Sequence, residues 1–151
     1  MKKEEIQILE LNRNNFNDYM NEIKEVMEYS YSLNFPHEKE LDVDNKFNKL
    51  LAYKFNGNAE IYVAVEGKCF LGYIWFFKKD NERIHLNEIA VIKEAQSIGV
   101  GHRLVKKMEE FARKCDIKQI ELFCMENNAN AKKFYEHIGF YTEKRILVKE
   151  I

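Results

Sequence analysis

The stretch from Leu86 to Cys115 constrains the fold more than any other part of the chain. An apolar segment ending at Val91 predicts a strand, and a loop with Gly99 and Gly101 joins it to an amphipathic helix. The apolar residues of that helix recur at helical spacing and predict one buried face: Leu104, Val105, Met108, Phe111, Ala112 and Cys115. N–H groups of such a loop and of the first helical turn point to one place, which suits an anion such as phosphate.

The rest of the chain alternates between strand and helix patterns. The predicted strands are Ile6–Leu11, Ala59–Val65, Cys69–Lys78, Arg83–Val91, Ile117–Met125 and Phe140–Val148. Two helices are expected between the first two strands, with Asn14 or Asn15 capping the first and Asp42 or Asp44 capping the second. The aromatic stretch Tyr29–His37, which contains the only proline, predicts the end of the first helix and a loop.

A last helix is predicted from Glu126 to Ile138, with Gly139 as its stop. The element order is therefore β-α-α-β-β-β-α-β-α-β, which predicts an α/β (α+β) layer structure and one domain over residues 1–151. Apolar residues on both sides of the segment Cys69–Lys78 predict a central strand that is covered on both faces.

Composition excludes several classes of partner. The 24 basic and 25 acidic side chains nearly cancel, so neither nucleic acid nor an anionic membrane is expected as a partner. The charged start of the chain lacks the apolar core of an export signal, which favours a cytoplasmic location. Cys69, Cys115 and Cys124 are predicted to be reduced, mostly buried thiols, and no metal-ligand cluster is evident.

Two motifs together resemble one family. The first is a glycine loop, Gln96-x-x-Gly99-x-Gly101, which follows the strand end Ile89-Ala90-Val91. The second lies downstream and reads Asn128-x-x-Ala131-x-x-x-Tyr135-Glu136-x-x-Gly139-Phe140. This pair is similar to the motifs of the GNAT superfamily of acyl-CoA N-acyltransferases, and the element order agrees over the whole chain. Lys93 and Ser97 depart from the proline and glycine that many members carry there.

The resemblance implies a GNAT-like fold with a mixed sheet of six to seven strands and about four helices. It also implies acetyl-CoA as cosubstrate, an amine as acceptor and no metal, and it allows a homodimer. The residues that would hold the pyrophosphate are Gln96, Ser97, Ile98, Gly99, Val100, Gly101 and His102. Pantetheine would pair with Ile89, Ala90 and Val91 where a bulge opens this strand. The Val91 N–H would then polarise the thioester carbonyl.

The same resemblance suggests two catalytic side chains. Asn128, Ala131 and Tyr135 share one helical face, where Ala131 leaves room for a thiol-bearing chain and the Tyr135 hydroxyl can protonate the leaving thiolate. Asn128 would cap the helix, contact the cofactor, or do both. Glu88 would act as general base for the amine. The alternatives are that Tyr135 is a core residue and that Glu88 is only solvated or salt-bridged.

Two other classes of function remain open at this point. A non-catalytic acyl-CoA-binding sensor or complex subunit would keep the loop without the chemistry. A generic nucleotide-binding module is disfavoured, because the loop lacks the Gly-Lys-Ser/Thr ending of a P-loop. The sequence does not indicate which amine is the acceptor.

Overall fold

The computed structural model describes residues 5–151, so the charged start of the chain and the expectation about an export signal lie outside the described residues. Within this range five strands form one mixed sheet in the order β1-β2-β3-β4-β5. They are β1 (Ile6–Glu10), β2 (Glu60–Glu66), β3 (Cys69–Lys78), β4 (Arg83–Val91) and β5 (Gln119–Leu122). Neighbouring strands are antiparallel except β4 and β5, which are parallel.

The helices of residues 5–151 form a layer on each face of this sheet. They are α1 (Phe16–Asn34), α2 (Val43–Phe55), α3 (Val100–Lys114) and α4 (Ala129–His137), with a 3-10 turn at Lys93–Ala95. Helix α3 packs on the face that carries Ile74 and Phe76 of β3. Helices α1 and α2 pack on the face that carries Tyr73 and Trp75. Strand β3 is therefore covered on both faces, which confirms its predicted central position.

Helix α1 is longer than predicted. It continues through the aromatic stretch to Asn34 and ends shortly before Pro36, because the residue that precedes a proline disfavours helical backbone. Asn15 occupies the N-cap position, but its side chain accepts a hydrogen bond from the Asn12 N–H and does not cap the helix. At α2 the expected cap forms, since the Asp42 carboxylate accepts a hydrogen bond from the Asn45 N–H at 3.0 Å.

The prediction of a last strand at Phe140–Val148, and with it a sheet of six to seven strands, is wrong for the described residues. Strand β5 ends at Leu122, and residues 141–151, which we call the C-terminal arm, are exposed and carry no regular secondary structure. The arm has the composition of a strand, but strand propensity stabilises a segment only when it pairs with another strand. Its anchor is the Arg83 guanidinium, which donates to both oxygens of Glu143.

Candidate active site

Strand β4 separates from β5 halfway along its length. The pairing of the two strands runs from Arg83 opposite Gln119 to Leu86 opposite Leu122 and goes no further. At the same point the register with β3 shifts, because Trp75 pairs with Glu88 and Phe76 with Leu86, which leaves Asn87 as a bulge. The last residues of β4 therefore face an opening where a fifth strand would otherwise continue.

The opening exposes one particular backbone donor. The Ala90 carbonyl and the Ile92 N–H both face β3, where Ile92 N donates to Leu71 O at 2.9 Å. Peptide groups alternate sides along a strand, so the Val91 N–H is directed to the opposite side, towards the opening. The carbonyl of Val91 accepts a hydrogen bond from the Gln96 side chain at 3.2 Å, which ties the following loop to the end of β4.

Gly72 of β3 makes this end of β4 possible, and the sequence analysis did not single it out. A Cβ at Gly72 would lie 2.6 Å from the Ala90 carbonyl oxygen and 3.1 Å from Val91 Cα. The backbones of β3 and β4 approach so closely there that only glycine fits. A glycine in the middle of an otherwise aromatic strand is the signal that could have found it.

The loop after β4 leads to an open helix N-terminus. Ser97 and Gly99 have φ angles of +76° and +87°, so both adopt the left-handed conformation. Gly99 is the N-cap residue of α3, no side chain caps this helix, and its first turn has no acidic residue. The first-turn N–H groups and the positive end of the helix dipole are thus available to an anion.

The structure shows a packing reason for glycine at position 101, which is different from the pyrophosphate contact that the resemblance implied. The Phe134 ring of α4 occupies the space that a side chain would fill, since a Cβ at Gly101 would lie 3.1 Å from Phe134 Cζ. The same ring contacts His102, whose ring centroid lies 5.3 Å from it. Gly101 therefore sets how closely the starts of α3 and α4 pack, and His102 is exposed on the outer side of that contact.

Glu88 lies where β4 begins to diverge, on the side of α1 and α2. Its side chain is only 9% exposed, and its Oε2 atom is 3.4 Å from the Lys46 ammonium of α2. Burial raises the pKa of this carboxyl above its ordinary value, and the charge of Lys46 partly opposes that rise. Glu88 is thus salt-bridged, as the alternative interpretation expected, but it is buried and not solvated.

Two further polar groups lie near Glu88. The Tyr73 hydroxyl and the Trp75 indole N–H are buried, and neither they nor Glu88 Oε2 meet hydrogen-bond geometry with any group in residues 5–151. Tyr73 is close enough to Glu88 that, after burial, this carboxylate is the main cause of its raised pKa. Glu88 Oε2 has the Lys46 ammonium beside it, and the Tyr73 hydroxyl is close enough to Glu88 for the two groups to pair. Because buried polar groups are normally paired, the Trp75 N–H is the group that a polar ligand can complete.

Tyr135 of α4 reaches the same end of the sheet from the other side. Burial raises the pKa of its phenol far above the ordinary value, with smaller contributions from Cys124 and Glu88, so the hydroxyl is protonated at neutral pH. Its ring contacts Phe134 and Phe140 edge to face, at centroid distances of 5.6 and 5.7 Å. Tyr135 is therefore a protonated phenol, held by two aromatic rings and within electrostatic range of Glu88.

Asn128 has both polar ends of its side chain engaged. Its carbonyl oxygen accepts a hydrogen bond from the Ala131 N–H at 3.2 Å, which confirms the predicted cap of α4. Its amide donates to Asn34 Oδ1 at 2.8 Å, and this bond links α4 to the end of α1. Asn128 therefore caps α4 and links it to α1. Ala131, on the same helix, is half-buried.

The cysteines differ from the prediction made for them. Cys69 and Cys124 are exposed, so the expectation of mostly buried thiols is wrong, although all three cysteines are free. His85 is buried between the Phe77 and Phe123 rings, and its Nδ1 lies 2.7 Å from Glu121.

Residues 5–151 contain no group of three His, Cys, Asp or Glu side chains that could hold a metal ion. None of their helices is long and apolar enough to cross a bilayer.

Comparison with known proteins agrees with this geometry. The model of the acetyltransferase (GNAT) family matches residues 20–140. The chain therefore belongs to the acetyltransferase (GNAT) family, and its α/β fold, with a single mixed sheet, is the GNAT fold. No match was found among curated protein sequences.

Solved structures share this fold over nearly the whole chain. A protein of Pyrococcus furiosus assigned as an acetyl transferase is 26% identical, with a TM-score of 0.72 over 97% of this chain and 100% of its own. The PaiA N-acetyltransferase of Thermoplasma acidophilum, solved with coenzyme A, is 17% identical, with a TM-score of 0.75 over 94% and 93%. The aminoglycoside N-acetyltransferase AAC(6')-Iy, also solved with coenzyme A, is 11% identical, with a TM-score of 0.72 over 99% and 97%.

Proposed function

We propose that this chain is an acetyl-CoA-dependent N-acetyltransferase that transfers the acetyl group directly to a primary amine in a ternary complex. The observation that carries the proposal is the divergence of β4 from β5 beside the uncapped N-terminus of α3. A pantetheine chain fits the first feature as a short extra strand, and a pyrophosphate fits the second as an anion at a helix N-terminus.

The chemistry follows from the groups around this opening. The Val91 N–H stabilises the oxyanion that forms when the amine nitrogen attacks the thioester carbon. Glu88, a buried carboxylate beside a lysine, accepts a proton from the amine. As the C–S bond breaks, the Tyr135 hydroxyl gives its proton to the departing thiolate. The Trp75 N–H binds a polar atom of the acceptor, since this buried donor has no partner in the described residues, and the Tyr73 hydroxyl lies beside Glu88.

A direct transfer is favoured over an acyl-cysteine intermediate. Among the cysteines, Cys124 is the one that influences the pKa of Tyr135. Partial burial is the main cause that raises the pKa of the Cys124 thiol. A protonated thiol is a poor nucleophile, so Cys124 is not suited to attack a thioester. Free, exposed thiols are compatible with a reducing compartment, and we place the reaction in the cytoplasm.

The test combines calorimetry with thiol release from acetyl-CoA. The protein should bind coenzyme A but not ATP of equal concentration, and thiol release should depend on an amine from a panel of polyamines, amino acids, aminoglycosides and peptide N-termini. Tyr135→Phe should lower kcat by roughly 10²-fold while leaving coenzyme A affinity within a few-fold. Tyr29→Phe, a change at an exposed tyrosine of α1, is the matched control.

The outcomes separate the proposal from its rivals. Tight binding of coenzyme A without turnover of any amine would identify a sensor or complex subunit. ATP competing with coenzyme A at equal strength would identify a general nucleotide-binding module. Full activity of Tyr135→Phe would remove this phenol from the mechanism while leaving the transferase assignment intact.

A further inference from the structure

Three polar side chains meet on the face of the sheet that α1 and α2 cover. Trp75 and Glu88 lie directly opposite each other on β3 and β4, so their side chains stand side by side on one face. Trp75 packs within the apolar core of that face. Lys46 of α2 reaches the same place, with its ammonium 3.4 Å from Glu88 Oε2. We call these three residues the polar cluster.

The polar cluster offers hydrogen-bond donors that need an acceptor. An indole N–H and an ammonium group can only donate. Trp75 is 8% exposed, and its N–H has no partner in the described residues. The Lys46 ammonium carries three N–H donors, and Glu88 is the acidic side chain that it contacts within residues 5–151. A ligand that completes the cluster therefore brings an acceptor atom, such as the oxygen of a carboxylate, a carbonyl or a hydroxyl group.

The charges of the cluster select one of these oxygen groups. A primary amine is protonated at neutral pH, so together with the Glu88 carboxylate and the Lys46 ammonium it leaves one positive charge in excess. When Glu88 accepts a proton from the amine, Lys46 loses its counter-ion. A partly buried charge without a partner is costly. A carboxylate on the same ligand balances the charge before and after this proton moves, whereas a neutral carbonyl or hydroxyl group does not.

The spacing of the cluster limits how far the two groups of the ligand are separated. The Cβ atoms of directly opposed residues on antiparallel strands are about 4.5–5.5 Å apart. Trp75 and Glu88 therefore contact ligand atoms that are a few bonds from each other. An amine and a carboxylate on one short carbon chain fit this spacing. A polyamine brings a second positive charge instead, which Lys46 repels.

We propose that the acceptor is an amine that carries a carboxylate a few carbon atoms from its nitrogen, of which an amino acid is the simplest case. Lys46 and the Trp75 N–H hold the carboxylate, and the amine lies at Glu88. The inference rests on the proposed N-acetyltransferase function and names its substrate class. Lys46 is then a specificity-determining residue in addition to a neighbour that tunes Glu88.

The transfer keeps its balance with such an acceptor. A bond forms between the amine nitrogen and the acetyl carbon, and the C–S bond of the thioester breaks. The ammonium group loses two protons in the reaction. One goes to Glu88, and the other replaces the proton that Tyr135 gives to the thiolate.

The first test measures binding, because Trp75 is the only tryptophan of the chain and its fluorescence reports on the cluster itself. The protein with coenzyme A is titrated with matched sets of ligands, each an amino acid, its carboxamide and the amine that lacks the carboxyl group. Calorimetry measures the same sets. In at least one set the amino acid should bind about tenfold or more tightly than the other two ligands. Equal affinities within every set, or no binding of any amino acid, would overturn the proposal.

The second test measures the selectivity of thiol release from acetyl-CoA. For each variant, kcat/KM with the amino acid is divided by kcat/KM with its carboxamide, so that an altered titration of Glu88 affects both values and cancels. Lys46→Met should lower this ratio by about tenfold or more, whereas Lys46→Arg keeps the charge and should hold it within a few-fold. Lys49→Met, at an exposed lysine of the same helix, should leave the ratio unchanged.

Trp75→Phe tests the second donor of the cluster. This change removes the N–H and keeps an aromatic ring, so it should weaken the amino acid and the carboxamide relative to the amine that has neither group. An unchanged selectivity in both Lys46→Met and Trp75→Phe would overturn the proposal.

The failure of this inference is distinct from a failure of the proposed function. Equal turnover of amino acids and of amines without a carboxyl group would contradict the substrate class and support the N-acetyltransferase function. Binding of amino acids without turnover of any amine would contradict that function and leave the carboxylate site in place. Absence of both binding and turnover would contradict the two proposals together.

Discussion

At the residue scale, the buried carboxylate of Glu88 makes a sharp prediction about pH. Burial raises its pKa and Lys46 opposes that rise, so kcat/KM should increase with pH through a carboxyl titration above the ordinary range. Glu88→Gln should remove that limb and lower kcat/KM at neutral pH by roughly 10²-fold. Lys46→Met removes the opposing charge and should move the limb to higher pH. The measurement is the pH profile of thiol release with the amine well below its KM, where the rate is proportional to kcat/KM.

The outcomes for these two variants are distinct. If the Lys46→Met profile moved to lower pH or stayed in place, Glu88 would not be the titrating group. If Glu88→Gln kept the wild-type profile, Glu88 would be a structural partner of Lys46 only. Lys49→Met, which changes an exposed lysine on the same helix, is the control for a general loss of charge.

The backbone of Ser97 is strained, which the sequence indicated only indirectly. It stands where many relatives of this family have glycine, and its φ of +76° lies in the left-handed region that favours glycine. Ser97→Gly should therefore raise the free energy of unfolding by about 0.5–1 kcal/mol, after allowing for the greater entropy of glycine in the unfolded chain. Gly99→Ser is the reciprocal change and should lower the free energy of unfolding by about 1 kcal/mol.

Urea unfolding of both variants checks this prediction, with coenzyme A affinity as a second measurement. The affinity should stay near wild type in Ser97→Gly, because the backbone N–H groups keep their positions. Equal stabilities of the two variants would mean that the loop relaxes without strain in solution.

At the element scale, local patterns predicted most of the fold. The bounds of β3 and β4 agree with the prediction. The glycine loop and the start of α3 were also foreseen, because each depends on a few neighbouring residues. These elements are decided by alternation, helical spacing and turn residues, which a single sequence displays directly.

What the sequence did not reveal depends on contacts between distant segments. The arm looks like a strand in isolation, but whether it pairs is decided by where β5 ends and which edges are open. Lys46 and Asn34 were overlooked because their partners, Glu88 and Asn128, lie far away in sequence. Gly72 was overlooked because the need for glycine comes from the backbone of a neighbouring strand, and the sequence marks it only as a glycine within an aromatic strand.

Gly72 supports a prediction about the pairing of β3 with β4. In Gly72→Ala the new methyl group would meet backbone atoms of Ala90 and Val91, which cannot rotate away. We expect a loss of about 1–3 kcal/mol in the free energy of unfolding. Because Val91 is displaced relative to the thioester, kcat should fall roughly 10- to 100-fold, while the loop and α3 keep coenzyme A affinity within a few-fold.

Gly101→Ala is the comparison for this change. Its new methyl group meets the Phe134 ring, which can shift, and alanine is a better helix former than glycine, so stability should change by less than about 1 kcal/mol. Thiol release and urea unfolding measure both variants. A Gly72→Ala protein with wild-type kcat would show that β4 tolerates the displacement and that the position of Val91 is not critical.

At the scale of the whole molecule, one charged network ties the outer strand to the sheet. The Glu121 carboxylate of β5 accepts a hydrogen bond from Lys79 at 2.8 Å and lies 2.7 Å from His85 Nδ1. Lys79 directly follows β3, and His85 lies in β4. Arg83 lies 3.5 Å from the same carboxylate and also holds Glu143 at the root of the arm. The parallel pair of β4 and β5 is only four residues long, so these contacts reinforce a short ladder.

This network predicts how the protein responds to acid. The hydrogen bond from Lys79, followed by that from His85, lowers the pKa of Glu121 from its ordinary value to about 2. A carboxyl group with a lowered pKa in the folded state stabilises the protein above its ordinary pKa, and this contribution is lost as the pH falls through about 2. In Glu121→Gln, the free energy of unfolding should therefore be lower at pH 7, by up to about 1 kcal/mol for such a partly solvated network. It should also fall less steeply as the pH drops from about 4.5 towards 2.

Urea unfolding at a series of pH values measures both effects. Glu126→Gln is the matched control, because its exposed carboxylate contacts only Lys132 across 3.3 Å among the described residues. Its stability should follow the wild-type pH dependence, since an exposed pair of this kind contributes little. A Glu121→Gln protein with the wild-type acid slope would show that β5 is held by its ladder and its apolar contacts alone. The charges of Lys79 and Arg83 and the hydrogen bond of His85 would then have no part in keeping the outer strand, and the root of the arm, in place.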